Sequence, residues 1–165
     1  LTVSQDLTPG EFSRASDAQW NQCQNEKTYV EVFGRYLRDA GMPNHAIVDT
    51  GRNGVQGLRK EWGNWCNSES PEEVPPLESL KEMLTLTPVN GAGFGQRFTT
   101  NTGSELCDAF VWVKPGGESD GTSDPSAERY DSFCGKEESF KPSPEAGQWN
   151  QAYFEMLLRN ANPPF

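Results

Sequence analysis

Ala109-Phe-Val-Trp-Val-Lys-Pro-Gly-Gly-Glu-Ser-Asp-Gly-Thr-Ser-Asp124 is the stretch that decides the fold class. From Ala109 to Val113 the residues are apolar, aromatic or β-branched, the composition of a buried strand. Lys114-Pro115-Gly116-Gly117 ends it, because Pro removes a ladder donor and paired Gly opens backbone angles closed to other residues. Beyond lies a loop of acids and hydroxyls: Glu118, Ser119, Asp120, Thr122, Ser123 and Asp124. The expectation is a strand delivering a Lys and several carboxylates to one rim of a sheet. In α/β folds that rim, at the carboxyl ends of the strands, is where ligands bind.

Upstream, the same plan recurs. From Asn25-Glu-Lys, Tyr29, Val32, Phe33, Tyr36 and Leu37 fall three and four apart and predict one apolar helix face. Gly41 and Pro43 end that helix. Ala46-Ile-Val-Asp49 then reads as a short buried strand running into the turn-rich Thr50-Gly-Arg-Asn-Gly54. At the far end, Pro144-Glu-Ala-Gly is read as a helix start. That helix runs through Trp149, Tyr153, Phe154, Leu157 and Leu158 and stops at Asn160-Ala-Asn-Pro-Pro. Residues 1–20 are polar and show no period.

With 165 residues there is room for one domain with a real core. The formal charge of −10 argues against nucleic acid, whose affinity comes from Lys and Arg on phosphates, and against an anionic membrane surface. No apolar run approaches the ~20 residues that cross a bilayer. Five Trp suit either a core or stacking against sugar rings. Trp62 and Trp65 both read as core when taken alone, and Trp112, inside the strand, is read as structural. The single His, His45, sits in a turn sequence, so neither a His-based metal site nor a Ser-His-Asp triad is expected. Asp120-Gly-Thr-Ser-Asp124 lacks the spaced ligands of a calcium loop. No metal and no cofactor are implied. Four widely spaced Cys (Cys23, Cys66, Cys107 and Cys134) fit no zinc pattern and suit a secreted, disulfide-containing protein.

Taken in order, the segments resemble the C-terminal half of glycoside hydrolase family 6, the fungal-type cellobiohydrolases and related endoglucanases. The matching pieces begin with Asn25-Glu-Lys, Ile47-Val-Asp-Thr-Gly-Arg-Asn-Gly54, Trp62-Gly-Asn-Trp-Cys-Asn67 and Gly91-Ala-Gly-Phe-Gly95. They continue through Asn101-Thr-Gly103, Asp108 to Asp124, Arg129-Tyr-Asp131, Cys134 and Pro142-Ser-Pro-Glu-Ala-Gly-Gln-Trp149. The last runs from Gln151-Ala-Tyr-Phe154 to Asn160-Ala-Asn-Pro-Pro164. The resemblance implies an α/β fold, the C-terminal portion of a distorted parallel (β/α) barrel that is incomplete in this chain. It also implies hydrolysis of β-1,4-glucosidic bonds in cellulose with inversion, by a secreted monomer.

An inverting glycosidase needs a carboxylic acid on the leaving oxygen and a carboxylate-assisted water opposite, roughly 6.5–9.5 Å apart. The resemblance puts Asp120 at the family's carboxylate in the acidic loop, a candidate base. Lys114 and Glu118 match residues that hydrogen-bond the sugars flanking the scissile bond. Trp65 matches a Trp that packs on a glucose ring, and Arg52 an Arg near the catalytic carboxylates. Cys66 and Cys134 match a disulfide. Cys23 and Cys107 lie outside that match, as a second bridge or with Cys107 as a small core residue. Read without the family, Glu118-Ser-Asp-Gly121 is first of all a solvated turn.

Two departures stand out. The family's general acid belongs to its N-terminal half, to which nothing here corresponds, and residues 1–24 match poorly. The expectation is a partial catalytic domain, inactive alone. Second, residues 68–88 are inserted where the family has one aliphatic residue. They read either as an acidic loop with a short helix at Leu77–Leu86 or as a translated intron. Ser68-Glu-Ser can be encoded with the splice donor GTGAGT, and Pro88-Val89 with an acceptor CAG. Excision restores Ile in frame between Asn67 and Asn90. The competing functional classes are a non-catalytic glucan-binding fragment and a truncated gene product.

Overall fold

The computed structural model describes residues 2–3, 23, 26–55, 58, 65–67 and 91–165. The remaining stretches of residues 1–24, Trp62 and the segment 68–88, with its expected helix, lie outside the described residues.

A parallel sheet organises the chain. Strand β1 (Thr2–Val3) pairs with β2 (Ala46–Asp49), and β2 pairs with β3 (Cys107–Val111), giving the order β1-β2-β3. The sequence gives no hint of β1, since two residues are too few to show a period. The last register pair of β2 and β3 is Asp49 with Val111. The strand therefore ends earlier than expected: Trp112 and Val113 lie beyond it and are exposed. Trp112 instead stacks on Phe94, ring centroids 4.6 Å apart, and its indole N–H donates to the Gln96 carbonyl.

Helix α1 (Glu26–Asp39) forms as expected, and Gly41, at φ 70°, follows it in the left-handed conformation that favours glycine. Its buried face differs from the expected one. Val30 and Gly34 point inward, while Tyr29, Phe33 and Tyr36 are exposed. Small residues let the helix approach: a Cβ on Gly34 would stand 2.9 Å from Leu106 Cδ1 and 3.0 Å from the Asn44 carbonyl. Val30 joins Val48, Cys107 and Phe110 in one apolar cluster.

Helix α2 (Gln151–Arg159) starts later than the sequence suggests. Residues 145–148 are bend and turn, with Gly147 at φ 84°, Trp149 is bridged to Glu118, and Asn150 caps the helix by accepting from the Tyr153 N–H. Tyr153, Met156 and Leu157 pack with Ala92, Phe94 and Phe140 in a second cluster, whereas Leu158 is exposed. Cys66 and Cys134 form a disulfide with their Cα atoms 5.0 Å apart, inside the usual range. Cys107 is a free thiol and a buried core residue.

Candidate active site

The two adjacent strands end side by side, and Arg52 and Lys114 stand equally far beyond the Asp49–Val111 pair. Asp49 locks the strand ends together. Its Oδ1 accepts from Gly51 N–H and its Oδ2 from Lys114 N–H, each at 2.9 Å. Both oxygens are thus committed to shaping the rim. Sequence reading passed over Asp49, although its place at the end of an apolar run marks a buried polar group in need of partners.

Asp120 sits between the two cations. Arg52 Nη1 donates to its Oδ2 at 2.6 Å, the Asn67 N–H donates to the same oxygen at 2.9 Å, and Lys114 Nζ lies 3.5 Å from Oδ1. The Arg52 and Asp120 side chains are only 7% and 9% exposed, so this pair is screened little by solvent. Lys114 Nζ is also 3.4 Å from Glu118 Oε1, and both of those side chains remain partly open to solvent. Four of the five expected site residues are therefore joined in one alternating network of charge. Burial pulls the Arg52 pKa down, but Tyr153 and Asp120 outweigh it and hold the guanidinium above its ordinary value. Tyr153 was expected only as an apolar helix position. Its period with Leu157 placed it in the core but could not show that it lies against Arg52.

Trp65, the fifth, does not join the ion pairs. Its ring tilts against Phe133, centroids 6.3 Å apart, and it is 41% exposed. It is tied to the network through the chain, because Asn67 holds Asp120 and Cys66 is bonded to Cys134. Gly121 passes against this bridge, where a side chain would meet Cys134 Sγ. Asn67 itself is fully buried at φ 39°, a backbone state that sequence does not reveal.

The sequence profile of the glycosyl hydrolases family 6 matches residues 4–72 and 80–161. The chain belongs to this family. The one interruption of the match, between 72 and 80, falls within the segment read as an insertion. A 1,4-β-D-glucan cellobiohydrolase of Podospora anserina is 66% identical over 158 residues, covering 96% of this chain and 34% of that protein. Exoglucanase-6A of Humicola insolens is 54% identical over 142 residues, 86% of this chain and 25% of its own length. Among solved structures, the Humicola insolens cellobiohydrolase II in complex with glucose and cellotetraose superposes with a TM-score of 0.74 at 47% identity. That superposition covers 96% of this chain and 38% of the other. The catalytic core domain of the Chaetomium thermophilum cellobiohydrolase gives 0.74 at 49% identity, covering 96% and 37%. The chain thus spans between a quarter and two fifths of the length of these relatives.

Proposed function

We propose that this chain forms one wall of the glucan cleft of an inverting β-1,4-glucanase, as the C-terminal portion of a distorted parallel (β/α) barrel. The observation that carries the reading is the Asp120 carboxylate, 9% exposed, held between Arg52 and Lys114 at the carboxyl ends of two parallel strands. Relatives named as a 1,4-β-D-glucan cellobiohydrolase and an exoglucanase support the substrate class.

In this reading Asp120 is the carboxylate on the water side of the sugar. Among the described residues its Oδ1 carries only the longer Lys114 contact and keeps capacity to accept from a water, while Oδ2 is saturated by Arg52 and Asn67. The two cations hold a negative charge where an oxocarbenium-like transition state develops positive charge. Lys114 and Glu118, partly exposed, hydrogen-bond sugar hydroxyls, and the open face of Trp65 packs on a glucose ring. Asp49 cannot serve as the acid, because both its oxygens already accept backbone N–H bonds. With Asp49 so committed and Glu118 paired with Lys114, this reading takes the proton for the leaving oxygen from outside the described residues. The whole protein is then a secreted, monomeric enzyme of cellulose breakdown that needs no cofactor.

A second reading, glucan binding without hydrolysis, is favoured by that same accounting of carboxylates. One experiment separates them. The purified chain is mixed with cellotetraose, with binding followed by Trp fluorescence and product anomers by NMR. Expected are binding that weakens at least tenfold in Trp65→Ala and Lys114→Ala, and turnover at least ~10² below an intact relative, the usual loss for a missing acid. Relative-like turnover abolished by Asp120→Ala would show that the acid lies within this chain. No detectable binding would overturn the cleft reading altogether.

A further inference from the structure

Asn67 is bonded to the acidic loop from both ends of its amide and from its own backbone. Its Oδ1 accepts from the Asp120 N–H at 2.9 Å while its own N–H donates to Asp120 Oδ2 at 2.9 Å, a reciprocal pair closed around one residue. Its Nδ2 donates to the Ser143 hydroxyl at 2.8 Å and the Gly121 carbonyl at 3.1 Å, with Ser119 Oγ at 3.4 Å. Its carbonyl accepts from the Phe140 N–H at 2.8 Å. One buried residue therefore joins the half-cystine segment 65–67, the Asp120 loop and the segment from Phe140 to Ser143.

Three chemical requirements converge on Asn at this position. The Asp120 amide needs an acceptor, and Ser143 and Gly121 need a donor, so the side chain must carry both in a planar group. The backbone at φ 39° is tolerated by Asn far better than by β-branched or bulky residues. Asp would supply the acceptor without the donors and would bury a second anion beside Asp120. Gln would displace the amide by a methylene in a site that is 1% exposed.

We propose that Asn67 is the positioning residue of Asp120: it fixes the height and rotation of the carboxylate between Arg52 and Lys114, and so sets the affinity of the cleft for glucan. The second half of this statement rests on the function proposed above, whereas the first half does not. In a buried network an amide that is satisfied at every atom transmits its position to its partners, and losing it frees the loop rather than the core.

The test uses the 165-residue chain with its disulfide intact and compares Asn67→Gly, which keeps the backbone state and N–H, with wild type. Amide hydrogen exchange is read at Asp120 and, as core reference, at Val48 and Leu157. The dissociation constant for cellotetraose is read alongside. Expected are Asp120 exchange at least tenfold faster, core exchange within twofold, a shifted Asp120 amide resonance, and cellotetraose bound at least fivefold more weakly. Unchanged exchange and resonance at Asp120 would overturn the inference whatever the sugar does. If Asp120 loosens but wild type never binds cellotetraose, positioning stands and the glucan reading falls. If Asn67→Gly also loosens the core, Ser143→Ala decides. That substitution removes one acceptor of Nδ2 and one partner of the Ser119 hydroxyl; it should still raise Asp120 exchange severalfold over the core, and an unchanged rate there would overturn the inference.

Discussion

The Arg52–Asp120 pair concentrates much of the site's electrostatic energy in two side chains. Breaking such a pair leaves one uncompensated charge out of water, which costs about 3–5 kcal/mol, far more than an exposed pair contributes. Arg52→Ala is therefore expected to lower stability by about 3 kcal/mol in urea unfolding. Arg38→Ala, in an exposed pair with Asp39, should be indistinguishable from wild type. A loss below 1 kcal/mol for Arg52→Ala would mean that Lys114 and the Asn67 N–H suffice for Asp120. The arginine arm is not a source of acid or neutral pH dependence. Its folded pKa is raised, so its contribution is fully present below the unfolded value and is lost only as pH climbs through the folded one, at strongly alkaline pH.

A smaller effect is expected at Asp124, where the Ser126 hydroxyl and then the Ser126 N–H hold the carboxyl below its ordinary value. A depressed carboxylate favours the folded state above its unfolded pKa, and this is lost as pH falls through the folded value. The group is fully exposed, so the effect is read as a titration and not as stability. Ser126→Ala should move the Asp124 midpoint, followed by ¹³C NMR, up toward an ordinary aspartate. An unmoved midpoint would assign the depression to something other than Ser126.

At the scale of elements, α1 shows how periodicity can find a helix and misplace its face. Its apolar residues occupy more than one side, so spacing alone permits two orientations. Contact with β2 and β3 selects the side where Gly34 lets the backbone approach Leu106 and Asn44. Gly34→Ala removes a helix-interior glycine, worth up to ~1 kcal/mol by propensity alone. It is nonetheless expected to destabilise by about 1–2 kcal/mol, because the new Cβ presses on a backbone carbonyl. Tyr36→Ala, on the exposed side, should change stability by less than ~0.5 kcal/mol. The thermal melts of this pair test the assignment, and the reverse order would restore the face expected from sequence. Helix α2 gives the complementary lesson. Pro144-Glu-Ala-Gly has the composition of a helix start, yet Gly147 at φ 84° and the Asn150 cap place the start at Gln151.

For the whole molecule, the Cys66–Cys134 bridge is the main long-range constraint around the site, closing a sequence separation of 68. Chain-entropy arguments give a loop of that size about 4 kcal/mol of stabilisation through the unfolded state. The double substitution Cys66→Ser, Cys134→Ser should lose about that much in urea unfolding. It should also weaken cellotetraose binding, since Trp65 and Asn67 flank the bridge. Thiol titration of the denatured, unreduced chain should detect the free thiol of Cys107. A count of zero would restore a second disulfide.

By itself the sequence determined the strand composition of Ala46–Asp49 and Ala109–Val111, the helix over Glu26–Asp39, the family, and which side chains carry charge near the strand ends. These follow from local chemistry and from ordered motifs, which need no knowledge of contacts. Only the tertiary structure decided that Arg52 and Lys114 converge on a single carboxylate, that Asp49 is a strut, and that Tyr153 lies against a guanidinium. Asn67 belongs with these. Its left-handed backbone and its bonds to Asp120, Gly121 and Ser143 join residues far apart in the chain. No local pattern encodes such bonds, because each depends on where the sheet register and the disulfide bring the partner.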